Sequence, residues 1–354
     1  MADIMSRSVT LRRFFRRMPA RTAGLLALAL AIITGAPSAA AAQPSNASAA
    51  DGLHVTQLQP DFYVIAGAGA NIAVQIGEDG VVVVDTGLEA HAEAVLAEIR
   101  RLTDRPIRYI VNTSADPDHV GGNEVLSGAG QSIVPTGGLN DIAAYGGRAP
   151  IAAEENVLAR MSAPHGQEAP YPSGAWPTST YAAALGETQK DVYINGQALQ
   201  LFHQPAAHSD ADSIVMFRRN DVIAVGDVLD TTRFPVINLE QGGSVQGVID
   251  SLNRIIQLTV APTPMIWQQG GTVVIPGHGR ICHESEVVDY RDMLTIIRDR
   301  VQSLIDRGMT LAQVQQANPT AGYTARYGAD SGPWTTNTFV EAVYRDLSDR
   351  ATGR

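Results

Sequence analysis

The first half of the chain alternates short apolar runs with one amphipathic stretch. Strand-type apolar runs cover positions 62–65, 71–76, 81–84 and 107–111. Between the last two runs, apolar residues of the segment 89–102 recur at the three- and four-residue spacing of a helix. The pattern predicts strands joined by tight turns, with one helix covering the resulting sheet.

The second half repeats this alternation after a less regular segment, 128–180, which is rich in Gly, Pro and Ala. Within that segment the sequence predicts a helix over 152–161 and a long loop over 163–180. Further strands are predicted at 191–194, 198–203, 213–217, 222–225 and 272–275, and helices at 248–258, 284–307, 311–316 and 337–347. Strand-rich and helical blocks alternate, which favours an α/β or α+β sandwich over a doubly wound parallel sheet.

The first 42 residues differ in character from the rest. Four arginines within positions 12–17 precede an uncharged run at 23–36, and small residues follow. This order predicts a secretory signal peptide over residues 1–42, because the apolar run is shorter than the about 20 residues that span a bilayer. The Arg12-Arg13 pair resembles a twin-arginine signal, and a retained anchor is the alternative. Residues 43–52 are predicted to be a flexible leader, and the mature protein to be periplasmic or secreted.

Charge and cysteine content narrow the classes of partner. The chain has 26 Lys and Arg against 36 Asp and Glu, a formal net charge of −10. Removal of residues 1–42 takes away six arginines and one aspartate, so the mature chain is more acidic still. This balance argues against nucleic acid and against stable membrane association after signal cleavage, and leaves a small-molecule substrate as the expected partner. The single cysteine, Cys282, excludes an intrachain disulfide.

The densest candidate chemistry follows the strand predicted at 107–111. Residues 112–123 read Asn-Thr-Ser-Ala-Asp-Pro-Asp-His-Val-Gly-Gly-Asn and carry two carboxylates and an imidazole before a Gly-Gly turn. Carboxylates and imidazoles that leave a strand end are suited to meet at one divalent cation. With three residues from later segments, the candidate ligands are Asp116, Asp118, His119, His208, Asp227 and His278.

These segments resemble the metallo-β-lactamase superfamily, whose motif HxHxDH is followed by a distant His, a distant Asp and a final His. The resemblance rests on Asp85-Thr86-Gly87, Asp118-His119-x-Gly-Gly, His208, Gly226-Asp227 and Pro276-Gly277-His278-Gly279. It implies a four-layer αββα sandwich over residues 53–283. Residues 284–354 extend past the last family motif and are expected to form a C-terminal helical extension packed on the same domain. One departure is large: Ser114 and Asp116 stand where the family motif has histidines, so this chain reads SxDxDH.

By this resemblance, Asp118, His119 and His278 form the second metal site, and Asp227 is able to bridge two metals. Zinc is the expected ion at that site, manganese and iron are the alternatives, and one or two ions are expected in all. The first site keeps His208 and gains Asp116. Three roles are open for Asp116: oxygen ligand of a second metal, general base in a mononuclear enzyme, or hydrogen-bonding neighbour of a single metal.

Other residues are expected to support the site. Asp85 and Ser114 lie beside the predicted ligands and are expected to orient them through hydrogen bonds. His165, Tyr171 and Trp176 fall in the predicted loop 163–180 and are candidates for the substrate pocket.

The resemblance implies an exported metal-dependent hydrolase in which a metal-bound hydroxide attacks an ester, thioester, lactam or phosphoester bond. Asp116 and Asp118 are its expected catalytic carboxylates. The missing histidines argue against efficient zinc β-lactamase chemistry, and fold alone does not select a substrate. The alternative is a non-catalytic metal- or ligand-binding protein that kept the scaffold. The helices of 284–354 are expected either to cover the sandwich or to form a homodimer contact.

Overall fold

The apolar runs of the sequence form two β-sheets. The computed structural model describes residues 47–48, 52–132, 147–162, 167–182, 189–262 and 270–352. Within these residues the first sheet contains eight strands in chain order: β1 (Ala47–Ser48), β2 (His54–Gln59), β3 (Phe62–Ala66), β4 (Ile72–Gly77), β5 (Gly80–Val84), β6 (Ile107–Val111), β7 (Ile151–Glu154) and β8 (Ser179–Tyr181). The second sheet contains β9 (Gln189–Ile194), β10 (Gln197–Gln204), β11 (Asp212–Phe217), β12 (Val222–Ala224) and β13 (Val273–Ile275), in the order β13-β12-β11-β10-β9.

Each sheet has one antiparallel part and one parallel part. The strands β1 to β5 pair antiparallel, whereas β5 to β8 pair parallel. In the second sheet β9 to β12 pair antiparallel, and β12 and β13 pair parallel. The parallel strands therefore end at a common edge of their sheet, which is where α/β folds place their functional loops.

Helices cover the outer faces of both sheets. In the described residues they are α1 (Ala92–Leu102), α2 (Pro117–Val120), α3 (Asn123–Ala129), α4 (Glu155–Met161), α5 (Val245–Leu258), α6 (Glu284–Asp306), α7 (Leu311–Gln316), α8 (Thr324–Tyr327) and α9 (Thr336–Thr352). The start of α5 is fixed by Ser244, whose hydroxyl accepts a hydrogen bond from the Gly247 amide. Short 3₁₀ turns occupy 89–91, 173–175, 226–228 and 239–241.

Alternation along the strands divides the buried side chains among three layers. In β5, Val81 and Val83 pack towards α1, whereas Val82 and Val84 pack towards the second sheet. The other face of the second sheet, with Ile214, packs against α5, α6 and α9. The predicted αββα sandwich with a C-terminal helical extension is therefore confirmed.

Two predicted elements differ from the structure. The helix predicted over 152–161 begins only at Glu155, because Ile151–Glu154 pairs parallel with β6 as strand β7. Ala152 and Ala153 have no β-branched side chain to indicate a strand, so this pairing depends on distant contacts. The loop predicted over 163–180 is wrong in its last part, where Ser179–Tyr181 pairs with β7.

The structure describes only part of the N-terminal region. The predicted signal peptide over 1–42 lies outside the described residues. Within the predicted flexible leader 43–52, Ala47 and Ser48 pair antiparallel with the start of β2. Across the described residues, every helix is either too short or too polar to cross a membrane.

Candidate metal centre

The candidate site lies where five segments reach one edge of the two sheets. Asp85 directly follows β5, and residues 113–119 follow β6. His208 lies in the connection between β10 and β11, Asp227 follows β12, and His278 follows β13. The strands β5 and β6 form one parallel pair, and β12 and β13 form another. Because the carboxyl ends of parallel strands lie at the same edge, residues far apart in the sequence meet there.

Asp118, His119 and His278 form the first of two donor groups, with one donor atom from each lying within 4.8 Å of the others. The Nε2 of His278 lies 3.2 Å from the Oδ2 of Asp118. The Oδ1 of Asp227 lies 3.1 Å from the Nε2 of His119 and 3.4 Å from the Nε2 of His278. Four side chains thus face one small volume.

Asp116, His208 and Asp227 form the second donor group, again within 4.8 Å of one another. The Nε2 of His208 lies 3.2 Å from the Oδ2 of Asp116 and 4.0 Å from the Oδ2 of Asp227. Asp227 therefore turns one carboxylate oxygen towards each group. This is the arrangement of a carboxylate that bridges two cations.

The residues present fit divalent cations. Their donors are imidazole nitrogens and carboxylate oxygens, which suit zinc, manganese and iron. At metal–ligand lengths of about 2.0–2.2 Å, neighbouring ligand atoms lie about 3.3 Å apart, close to the spacings within the first group. The buried Nε2 atoms of His119 and His208 each lie close to a carboxylate oxygen, at 3.1 and 3.2 Å, but neither forms a hydrogen bond among the described residues. A buried polar atom without a hydrogen bond is costly, and a cation in each donor group would satisfy these nitrogens.

Hydrogen bonds on the far side of each imidazole fix how the rings point. The carboxylate of Asp85 accepts from the Nδ1 of His119 at 2.9 Å and is itself held by the amide and hydroxyl of Thr113. The Nδ1 of His208 lies 3.1 Å from the carbonyl oxygen of Val236. Both rings therefore present Nε2 to the donor groups. Ser114 is buried, and its hydroxyl accepts a hydrogen bond from the Asp116 amide at 3.3 Å.

Opposite charges hold the cluster together. Burial lowers the pKa of His208, but its contact with Asp116 and the charge of Asp227 outweigh this and raise the pKa to about 10. Burial likewise lowers the pKa of His278, and its contacts with Asp118 and Asp227 raise the pKa to about 9. For Asp227, burial raises the pKa, yet the neighbouring histidines hold the pKa well below its usual value. The Asp227 carboxylate is thus kept ionised, which is the form that binds a cation.

The Gly-Gly turn lets the motif pack against the end of β5. A Cβ on Gly121 would lie 2.4 Å from the Glu89 amide nitrogen, and a Cβ on Gly122 would lie 2.5 Å from the Thr86 carbonyl oxygen. Neither backbone atom has room to move aside. The sequence Asp118-His119-x-Gly-Gly therefore has glycines where close backbone approach requires them.

The donor groups line a cavity of about 160 Å³. Besides the five donors Asp116, Asp118, His208, Asp227 and His278, its walls include Asp230, Arg233 and Val236. The Nε of Arg233 donates to the carboxylate of buried Asp230 at 2.6 Å, which fixes the guanidinium in place. Within the described part of the chain, the terminal nitrogens of Arg233 have no bonded acceptor.

The residues predicted to line the pocket lie in different surroundings. Tyr171 is half-buried, and burial followed by the charges of Asp116, Glu89 and Asp118 raises its pKa, which places its phenol near the donor groups. Trp176 donates its indole N–H to the Tyr171 carbonyl oxygen at 2.9 Å and packs on a small apolar cluster. His165 lies outside the described residues.

Sequence reasoning missed three polar residues of this region. Asp230 and Arg233 lie in the turn after Asp227. Their spacing of three residues, an acid followed by a base, was the sequence signal for an ion pair there. Asp212 is buried, and its Oδ2 accepts from the Ser209 amide at 2.6 Å, which holds the turn that carries His208. Burial raises the pKa of Asp212 to about 7. In the sequence, the only indication of this role is that Asp212 follows the candidate ligand His208 by four residues.

Comparison with known proteins identifies relatives. The model of a family described as the metallo-beta-lactamase superfamily matches residues 65–278. The linear primary-alkylsulfatase of Pseudomonas sp. (strain ATCC 19151) is 24% identical over 277 residues, which are 70% of this chain and 50% of that protein. The chain thus spans about half the length of this curated relative.

Two solved structures share the fold. A double mutant of the sec-alkyl sulfatase PisA1 matches with a TM-score of 0.57 and 18% identity, over 84% of this chain and 50% of that chain. The stereoselective inverting sec-alkylsulfatase Pisa1 from Pseudomonas sp. matches with a TM-score of 0.55 and 16% identity, over 82% and 49% respectively.

Proposed function

Because the chain belongs to the metallo-beta-lactamase superfamily, we propose that it is a divalent-cation-dependent hydrolase and that its substrates are sulfate esters. The observation that carries the proposal is the pair of donor groups that share Asp227 and open into one cavity. Asp116, Asp118 and Asp227 repel one another unless positive charge lies between them; the neighbouring histidines supply it in the metal-free protein, and a bound cation would replace it.

Each donor has an assigned role in this proposal. Asp118, His119 and His278 would hold the first cation, for which zinc is the preferred ion, and Asp116 and His208 would hold the second. Asp227 lies between the two groups and would contribute to both. A cation bound there supplies Lewis acidity and lowers the pKa of a water molecule that it binds.

The protein's own residues position the reactants. Asp85 holds the His119 ring, and the Val236 carbonyl oxygen holds the His208 ring, so neither imidazole must reorganise during reaction. Ser114 fixes the backbone of Asp116 through its amide. Among the described donors of the cavity, Asp116 has the most exposed side chain, at 36%, which places it where a proton leaves towards solvent.

Charge favours an ester with an oxyanion head, and the relatives point to sulfate. Arg233 lines the cavity with its guanidinium anchored on Asp230, and a fixed guanidinium is suited to bind two oxygens of an oxyanion. The alkylsulfatases named above supply the second line of support. We further propose that residues 1–42 are a signal peptide, that export is to the periplasm or beyond, and that 53–283 is the catalytic domain.

The experiment tests the metal centre and the substrate class separately. Purified protein loaded with Zn²⁺, Mn²⁺ or Fe²⁺ is assayed on 4-nitrophenyl sulfate, hexyl sulfate, a phosphodiester, a thioester, a lactone and nitrocefin. We expect sulfate release to exceed the other activities, and expect His119→Ala and Asp118→Ala to abolish it while the circular dichroism spectrum is retained. His54→Ala, at an exposed histidine outside the site, is the matched control.

The outcomes separate the alternatives. If the protein hydrolyses only another class of ester, the proposal of a metallo-hydrolase stands and the proposal of sulfate esters as substrates is rejected. Two bound cations without turnover on any substrate would instead favour the non-catalytic metal-binding protein, and unchanged turnover in His119→Ala would end the proposal.

A further inference from the structure

A groove beside the candidate metal centre is walled by the C-terminal helical extension. Its volume is about 360 Å³, within the range of small-molecule pockets. Val236 and Leu239 of the loop after β12 lie along one side. Trp334, Thr338 and Ala342 line the other side, the last two on α9.

The groove adjoins the metal cavity. Asp116, His208 and Val236 line both, so a molecule whose head group lies at the donor groups would have its remaining part beside the groove. Glu341 and Arg345 lie at the groove as well, with their charged atoms 4.0 Å apart and their side chains about half exposed. The groove therefore has an apolar interior and a charged rim.

The α9 wall lies beyond the matched family region. That region ends at residue 278, whereas Trp334 and the groove-lining residues of α9 follow it by more than a full helix. Helix α9 is held in place independently of the groove, because Phe339, Val340 and Val343 are buried in the core that α9 shares with α6. The wall is thus a fixed surface.

We propose that this groove binds the apolar chain of the substrate, so that the enzyme acts on an ester that joins an anionic head to a hydrocarbon chain. The inference rests on the proposed function for the identity of the head group. The hydrocarbon is placed by the residues that the groove shares with the cavity and by the apolar side chains of Val236, Leu239 and Trp334. Residues 284–354 are then part of the substrate site.

Chain-length dependence measures this directly. Burying a methylene group strengthens binding by about fourfold when burial is complete, and we expect about two- to fourfold in an open groove. From butanesulfonate to octanesulfonate the dissociation constant should therefore fall about 20- to 200-fold. Alkanesulfonates are chosen because a carbon–sulfur bond replaces the ester oxygen, so they bind without being hydrolysed.

Calorimetric titration of the metal-loaded full chain with butane-, hexane- and octanesulfonate is the primary experiment. Thr338→Trp fills the groove and should raise the dissociation constant of octanesulfonate at least tenfold, while butanesulfonate changes by less than about twofold. Asn337→Trp is the matched control, since Asn337 is exposed on the same helix and outside the groove. Trp334→Ala should weaken octanesulfonate and Trp334→Phe should retain most of its affinity, because the Trp334 indole nitrogen has no hydrogen-bond partner among the described residues.

The results distinguish this inference from the proposed function. Length-dependent binding that Thr338→Trp removes, together with absence of turnover, would support the groove and reject the sulfatase. Turnover of sulfate esters with equal affinity for all three sulfonates would reject the groove and keep the enzyme. A dimer that Thr338→Trp dissociates, seen by sedimentation, would assign the groove to a second copy of the chain and overturn the inference.

Discussion

Asp85→Asn should weaken cation binding at the first donor group without removing any proposed ligand. Asp85 uses both oxygens: Oδ1 accepts from the Thr113 amide at 2.8 Å, and Oδ2 accepts from the Thr113 hydroxyl at 2.6 Å and from the His119 Nδ1 at 2.9 Å. A carboxylate only accepts hydrogen bonds. The proton of His119 is therefore held on Nδ1. Burial lowers the pKa of this imidazole, but the charges of Asp227 and Asp85 raise the pKa well above its ordinary value, so Nε2 releases a proton when it binds the cation.

Asparagine cannot satisfy these three donors. The Thr113 amide requires the carbonyl oxygen of the new side chain, so the NH₂ group takes the position of Oδ2 and faces the Nδ1 of His119. The NH₂ group of the asparagine and the Nδ1–H of His119 are then two hydrogen-bond donors that face each other. His119 then loses its bond to residue 85 and must either turn its Nδ1–H to the Thr113 hydroxyl, 3.2 Å away, or move its proton to Nε2, where it blocks the cation. In both cases the imidazole loses the carboxylate that orients it.

The size of the effect follows from comparable contacts. Loss of a residue that orients a metal-binding histidine typically costs about 10- to 100-fold in metal affinity, or about 1.4–2.7 kcal/mol. The metal-free protein also loses a hydrogen bond to a charged group, which is worth about 1.5–3 kcal/mol of unfolding free energy. Zn²⁺ affinity is measured by calorimetry in competition with a chelator, and stability by urea unfolding with chelator present.

Asp346→Asn provides the control. Asp346 is also buried, and its carboxylate accepts from the Val245 amide at 2.8 Å, outside both donor groups. This variant should lower stability but leave the Zn²⁺ affinity within about twofold. Equal Zn²⁺ affinity of Asp85→Asn and the unchanged protein would refute the reasoning, because the ring of His119 would then need no anchor.

Three further predictions address other parts of the structure. Asp116→Asn should reduce bound Zn²⁺ from two equivalents to one by elemental analysis, because Asp116 belongs to the second donor group alone; retention of two equivalents would remove it from the ligand set. Gly122→Ala should lower the free energy of unfolding by about 1–3 kcal/mol in urea titration, since its Cβ meets the Thr86 carbonyl oxygen; an unchanged midpoint would contradict this. The Cys282 thiol should resist iodoacetamide at pH 8 and react on denaturation, because burial and then the Glu286 charge raise its pKa to about 12 and keep it protonated; rapid native alkylation, read by mass spectrometry, would show that the thiol is accessible.

Much of the architecture followed from local pattern. The runs at 62–65, 81–84 and 107–111 were predicted as strands and occur as β3, β5 and β6, because each is an apolar run that becomes buried in the sheet. The helix predicted over 284–307 occurs as α6, since its apolar residues recur at helical spacing and bury one face. These elements depend on neighbours a few residues away, so the sequence contains their signal.

Tertiary structure decided which residues meet and in what geometry. The candidate ligands were named from their motifs, but the position of Asp227 between the two donor groups and the contact of Asp116 with His208 depend on how β6, β10 and β12 end beside one another. Arg233 and Trp334 lack a motif, and only packing shows that one lines the cavity and the other the adjoining groove. Residue types and periodicity are local properties of a chain, whereas contact between segments far apart in the sequence is set by the burial of the whole core.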